Sequence, residues 1–322
     1  MSARRVARLV RAYIVTMRPY LLFVSGITGL AGLALGPATG AGRTWLAGGA
    51  FFLSYGFGQA LTDCFQMDTD ALSAPYRPLV RGRLARGPVL GTSLGGLLLC
   101  GLILVSYHPA NGALALLAVG GLATYTWFKR RWWGGPFYNA WIVALLVVMG
   151  YVVAAGWHAT DRVSDGLGGL LLLAFFGYAN FVLTGYYKDI PADRATGYRT
   201  LPVVFGLGVS ALVSDAFAVA ALCGAALAAR PAVVAGPISP SYVIGPLLLS
   251  AGVVTTVVGQ VRLHRVRSAA TAYRAIVPVV HAYVLLLAGV TSLHRPGWSA
   301  SLLVFYAAFA LALARRPERE QI

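Results

Sequence analysis

Ten apolar stretches follow one another along the 322 residues, at about 19–35, 45–61, 88–107, 110–128, 136–157, 166–187, 205–229, 242–260, 275–293 and 298–313. A helix needs about 20 mostly apolar residues to cross a hydrocarbon core. Charged residues make up 11% of the chain and hydrophobic ones 58%, with a mean hydropathy of +0.72; soluble proteins carry about 25% charged residues. The pattern predicts an all-α, polytopic transmembrane bundle with no soluble domain of useful size. Short connections make neighbouring helices antiparallel, and the 38 glycines let them approach closely. Pro246 and Pro278 fall inside stretches and predict kinks.

The net charge of +16 tests this arrangement. With the N-terminus in the cytoplasm and strict alternation, all but four of the 26 basic residues fall on the cytoplasmic side, the exceptions being Arg43, Arg162, Arg230 and Arg295. That is the bias expected of cytoplasmic loops, and it accounts for the basic balance without nucleic acid, since no basic run has a foldable soluble module behind it. Residues 1–18 are Arg-rich and acid-free, which is compatible with a transit peptide. The preferred reading is an interfacial helix ending near Arg18-Pro19, with Val6, Leu9, Val10, Tyr13 and Ile14 on one face and Arg4, Arg8 and Arg11 on another. The membrane domain then covers 19–314 and a short tail 315–322. Two lysines against 24 arginines, with abundant Ala and Gly, hint at a GC-rich genome. The expected location is a bacterial cell membrane. Cys64, Cys100 and Cys223 form no metal or disulfide pattern; Cys64 reads as a small apolar filler.

Against this apolar background the chain has ten acidic residues, and five stand in two clusters, each closing an apolar stretch. The first is Asp63, Asp68 and Asp70, with Gln66 among them; the second is Asp189 and Asp193. The charge census puts both on the cytoplasmic side. Carboxylates at a bilayer boundary are costly unless paired, hydrated or metal-bound. On a continuous helix Asp63, Gln66 and Asp70 share a face, as do Asp189 and Asp193, while Asp68 points elsewhere unless the helix unwinds. Asp161 and Asp165 repeat the spacing on the external side, where they read as a solvated turn and helix cap.

Two oxygen-rich faces opposite each other suit Mg²⁺, which is usually held by a few carboxylates plus substrate phosphates. Arg77, Arg81, Lys129, Arg130, Lys188 and Arg199 lie near the clusters in sequence. Metal, guanidinium and ammonium together neutralise a diphosphate leaving group. Apolar helices behind them would take a hydrocarbon tail, so the expected substrate is a polyprenyl diphosphate. Each cluster also leads into a related loop, Tyr76-Arg77-Pro78-Leu79 and Tyr198-Arg199-Thr200-Leu201, as if two related halves faced one site.

These residues make the chain similar to the UbiA superfamily of intramembrane prenyltransferases. Thr62-Asp63-x-x-Gln66-x-x-x-Asp70, with Pro75-Tyr76-Arg77-Pro78-Leu79-Val80-Arg81-Gly82, resembles the family's N-D-x-x-D-x-x-x-D and P-x-x-P-L-x-x-G. Asp189-x-x-x-Asp193, Gly197 and Thr200-Leu201-Pro202 resemble its second motif; Tyr125-x-x-x-Lys129 and Arg18-Pro19 match two further ones. Thr62 and Gln66 depart from the usual Asn and acidic residue. The resemblance implies nine core spans, making the last stretch a tenth, around one central cavity open to the cytoplasmic side. It implies Mg²⁺-dependent transfer from a prenyl diphosphate to a hydrophobic, aromatic acceptor. Asp63, Asp70, Asp189 and Asp193 would be catalytic metal ligands, assisted by Gln66 and Asp68. Arg77, Tyr125, Lys129, Lys188 and Arg199 would bind the diphosphate, with membrane lipid around the bundle. An intramembrane terpene cyclase is the alternative, and an ion-coupled transporter a third.

Other polar residues are weaker signals. Asp215 lies within the seventh stretch, as an interhelical partner or a substrate contact, with His281 a candidate mate. Asn139 and Asn180 could line a cavity. Tyr55, Phe57, Tyr178, Phe181, Tyr186 and Tyr187 read mainly as core, with some near the clusters able to stabilise a cation through their rings.

Overall fold

The computed structural model describes residues 3–157, 165–235 and 243–316. Asp161, Arg162 and residues 317–322 of the tail lie outside them. The described residues form twelve α-helices and no strand: α1 (Ala3–Met17), α2 (Leu22–Leu35), α3 (Ala41–Asp63), α4 (Met67–Ser73), α5 (Arg86–Val105), α6 (Ala110–Lys129), α7 (Gly135–Ala155), α8 (Asp165–Ala195), α9 (Leu201–Ala235), α10 (Ile244–His264), α11 (Tyr273–His294) and α12 (Ser299–Ala314).

The ten expected stretches fall one to one on α2, α3 and α5 to α12. Seven helices are long and apolar enough to cross a membrane: α5, α7, α8, α9, α10, α11 and α12, the last counted from Pro296. The pair α1 and α2, bent by 42°, makes an eighth if taken as one span. Alone, α2 has 14 residues, about 21 Å of rise against a core about 30 Å thick. Helix α3 carries Ser54, Gln59, Thr62 and Asp63 on the face that lines a central cavity, and α6 carries Tyr125 and Lys129 there.

Helix α11 is buried along nearly its whole length, packed against α10, α8, α2 and α9. The other major contacts join α8 to α9, α2 to α7 and α3, α3 to α5, and α7 to α6 and α8. Where α2 crosses α7, a Cβ on Gly32 would run into the Val147 carbonyl, and one on Gly150 into that of Gly29. Glycine therefore sets the approach of these two helices.

Helix α1 ends at Met17; of the apolar face expected there, Val6, Val10 and Ile14 are exposed, while Leu9 and Tyr13 are half-buried and Tyr13 meets Ser93 at 2.9 Å. Arg18 follows with φ 52°, the one non-glycine residue with positive φ among the described residues. Pro246 lies in the first turn of α10 and does not kink it; its missing N–H would have no helical acceptor there. Pro278 and, unforeseen, Pro191 and Pro231 are inside helices, and Gly206, at φ 78°, breaks α9 after its first turn.

Candidate active site

The acidic clusters meet at one end of a cavity of about 1370 Å³, counting the space at its mouth. Its lining falls in helical stripes. Tyr55, Gly58, Gln59, Thr62 and Asp63 come from α3; Tyr125 and Lys129 from α6; Asn139 and Ile142 from α7; Tyr178, Phe181, Tyr186, Lys188 and Asp189 from α8. Arg18, Gln66, Asp70 and Arg77 close the polar end from the intervening segments.

The first motif is not one helix. Helix α3 stops at Asp63, and the chain turns through Cys64 and Phe65, with Phe65 N–H donating to Thr62 O at 2.9 Å, before α4 starts at Met67. Asp63, Gln66 and Asp70 still face the same cavity. Asp63 accepts from Arg18 Nη2 at 3.0 Å, from Gln59 Nε2 at 2.8 Å and from Arg77 Nη1 at 3.4 Å. Asp70 pairs with the same Arg77 nitrogen. Burial raises the Asp70 pKa, although the Arg77 charge opposes the shift. For Arg77, burial works downward, but Asp70 and Asp63 hold its pKa above the ordinary arginine value.

The second motif lies in the last turns of α8. At 31 residues this helix is about 46 Å long, well beyond the hydrocarbon thickness, so its end can carry charge. Lys129 Nζ stands 3.9 Å from both Asp189 and Asp193 and donates to Gln66 Oε1 at 3.2 Å. Thr200 donates to Asp193 Oδ2 at 3.1 Å. The turn that returns Thr200 to Asp193 passes through Gly197 at φ 75°, a conformation L side chains rarely adopt. Below the charges, Tyr125 and Tyr186 share a 2.8 Å hydroxyl contact, and Tyr55 and Tyr178 one of 3.4 Å.

Some expected site residues stand apart. Asp68 is exposed and held by Arg130 Nη2 at 3.1 Å and Tyr198 OH at 3.3 Å, away from the cavity. Arg199 is exposed and does not line it, although its N–H donates to Arg130 O. Gln66 gives its carbonyl oxygen to Lys129. Asp215 pairs at 2.7 Å with His264 at the end of α10, whereas His281 meets Tyr306 at 3.0 Å, so these two are not mates. Asn180 accepts from Ser214 between α8 and α9. Phe57 packs under Gly96, and Tyr187 donates to Leu207 O. Arg18 and Gln59 were missed as site residues. The Arg18-Pro19 pair stood out in the sequence with no role attached, and Gln59, a lone amide one turn before Asp63, was the available signal.

Among the described residues no three of His, Cys, Asp and Glu converge as a metal site. Each motif instead presents a carboxylate pair. Mg²⁺ characteristically takes one or two carboxylates and completes its shell with water and substrate phosphate. Two buried atoms at the site, Arg77 Nε and Asp193 Oδ1, have no hydrogen-bond partner. Unused donor and acceptor capacity of this kind fits a phosphate and a cation.

An apolar helical bundle with a charged pocket at one end of a cavity is the frame of an integral membrane protein. Comparison with known proteins narrows the class. A sequence model of the UbiA prenyltransferase family matches residues 22–277. Digeranylgeranylglyceryl phosphate synthase of Thermococcus sibiricus is 29% identical over 246 residues, 75% of this chain and 85% of that protein. Chloroplastic chlorophyll synthase of Arabidopsis thaliana is 26% identical over 163 residues, 47% of this chain and 41% of its own. A UbiA homolog from Archaeoglobus fulgidus bound to DMAPP and Mg²⁺ superposes with a TM-score of 0.64 at 17% identity, covering 87% of this chain and 98% of that one. The chain belongs to the UbiA prenyltransferase family and is a prenyltransferase. The archaeal and plant relatives lend no support to a bacterial origin.

Proposed function

We propose that this protein transfers a prenyl group from a prenyl diphosphate to a hydroxyl-bearing lipid acceptor, with Mg²⁺ held by Asp63 and Asp70 on one side and Asp189 and Asp193 on the other. The observation that carries the reading is the set of charges at the polar end of the cavity: Arg18, Arg77, Lys129 and Lys188 beside Asp63, Asp70 and Asp189, with Asp193 buried next to Lys129. When bound, Mg²⁺ would neutralise charge developing on the diphosphate oxygens. Arg77 and Arg18 would hold phosphate oxygens in forked geometry, and Lys129 would supply a point charge. The tyrosine rings beneath, with the apolar wall, would exclude water from an allylic cation and stabilise it.

The lipid acceptor follows from relatives whose name describes a glyceryl phosphate carrying geranylgeranyl groups; the aromatic acceptor expected from sequence has no such support. Names of transfer products also disfavour the cyclase alternative. Ten spans, with the cavity opening to the cytoplasm, are supported by the distribution of basic residues and by exposed Trp127, Trp132 and Trp133 beside Lys129, at the depth of an interfacial belt.

The test is incubation of purified protein with prenyl diphosphates and either prenylated glyceryl phosphate or an aromatic acceptor, reading pyrophosphate and lipid products. Asp189→Ala and Asp193→Ala should each lower turnover by about 100-fold or more, and EDTA should do the same to the wild type, with Mg²⁺ restoring it. Full activity of either variant in excess EDTA would exclude the metal reading. Pyrophosphate release that needs no acceptor would favour the cyclase.

A further inference from the structure

Tyr55, Tyr125, Tyr178 and Tyr186 line one side of the cavity. On another side, beyond Tyr125 and Asn139, residues of α5, α6 and α7 line an apolar arm. On α6 the arm runs past Leu122 and Ala118 to Ala115, all on one face. Opposite Ala115 stands Gly101 of α5, where an added Cβ would come within 3.5 Å of the Ala115 Cβ. The arm ends on Leu104 and Met149, each 3% exposed. These pack with Leu33, Leu114 and Val153 into a closed apolar layer.

The depth of this arm has a chemical unit. Ala115 lies fourteen residues from Lys129 on one helix, about 21 Å at the α-helical rise. An isoprene unit adds four chain bonds, about 5 Å when extended, by the same bond lengths that give about 3.5 Å for the three bonds of a residue. About four units therefore reach from a diphosphate at Lys129 to the floor, and a fifth meets Leu104 and Met149.

We propose that the α5–α6–α7 arm is a ruler for the donor chain. It seats up to about four isoprene units, Leu104 and Met149 stop longer ones, and the small side chain of Ala118 keeps the passage open. This rests on the prenyl-transfer reading and adds a length limit and the residues that set it.

The test measures binding, not turnover, so it needs no acceptor. Full-length protein in lipid nanodiscs is titrated with prenyl thiolodiphosphates of two, four and six isoprene units in the presence of Mg²⁺. Wild-type affinity should rise from two units to four and gain nothing from four to six. Ala118 is eleven residues from Lys129, about 16 Å, so Ala118→Phe should leave the two-unit compound unchanged. The four-unit compound should weaken about tenfold or more, because its last unit loses its apolar seat. Leu104→Ala and Met149→Ala should let the six-unit compound gain affinity over the four-unit one. If Ala118→Phe binds nothing, its fold is lost, and the two floor variants decide the matter alone. A steady gain from four to six units in the wild type, or floor variants with no gain, would overturn the ruler and leave prenyl transfer standing. A wild type that binds none of the compounds would overturn both.

Discussion

Lys129 is the residue through which the two motifs communicate: it donates to Gln66 of the first and lies between Asp189 and Asp193 of the second. Gln66→Glu would put a carboxylate where the amide oxygen now is, drawing Lys129 away from the second motif and adding negative charge beside a diphosphate. The expected result is a donor KM raised about five- to tenfold, the equivalent of about 1 kcal/mol. An unchanged KM with a lower Mg²⁺ requirement would instead make position 66 a metal ligand. The two other aspartates of that segment should separate cleanly. Asp68 sits in an exposed pair with Arg130, an arrangement worth at most about 1 kcal/mol. Steady-state rates for Asp68→Ala should stay within about fivefold of wild type, whereas buried Asp70→Ala should lose about 100-fold or more. Sequence spacing paired Asp63 with Asp70 and Asp189 with Asp193 as candidate ligands, of which Asp63, Asp70 and Asp189 line the cavity and Asp193 is buried beside Lys129. It could not tell Arg77 from Arg199, which occupy matching places in the two loops. Only tertiary packing turns Arg77 inward onto Asp63 and Asp70 and leaves Arg199 outside.

Helices were legible wherever apolar runs had the length of a span, and all ten runs became helices. Their ends were harder to read. The stop after Asp63 falls at Cys64-Phe65, which contains no breaker; the site's own partners, Arg18, Gln59 and Arg77, fix Asp63 at the end of α3. Charged residues after Tyr187 read as the end of a span, yet α8 continues past Pro191 to Ala195 and packs on α4. The crossing of α2 and α7 can be checked directly. Gly32→Val would force the helices apart and should cost about 1–3 kcal/mol by overpacking. Gly42→Ala, with nothing within 4 Å of its added Cβ, should be neutral or slightly stabilising. Thermal unfolding in detergent would compare the two; equal midpoints would mean that the α2–α7 contact is looser than described.

For the whole molecule, the distribution of arginine predicts orientation. Reporter fusions after Arg43, Gly82 and Arg316 should read outside, inside and inside; an external signal after Arg316 would mean that α12 does not cross. The two motifs that lead into the repeated loops are built differently: the first is broken between α3 and α4 and meets guanidinium, whereas the second lies within α8 and meets ammonium. Arg18 gives this arrangement an additional property. Its unusual backbone stands at the 42° elbow between α1 and α2, while its guanidinium grips Asp63. Any tilt of α1 would thus twist a joint whose other arm ends in the reaction centre. Loosely and tightly packed bilayers should then support different donor affinity and turnover, making the enzyme a reporter of the order of the membrane in which it lives.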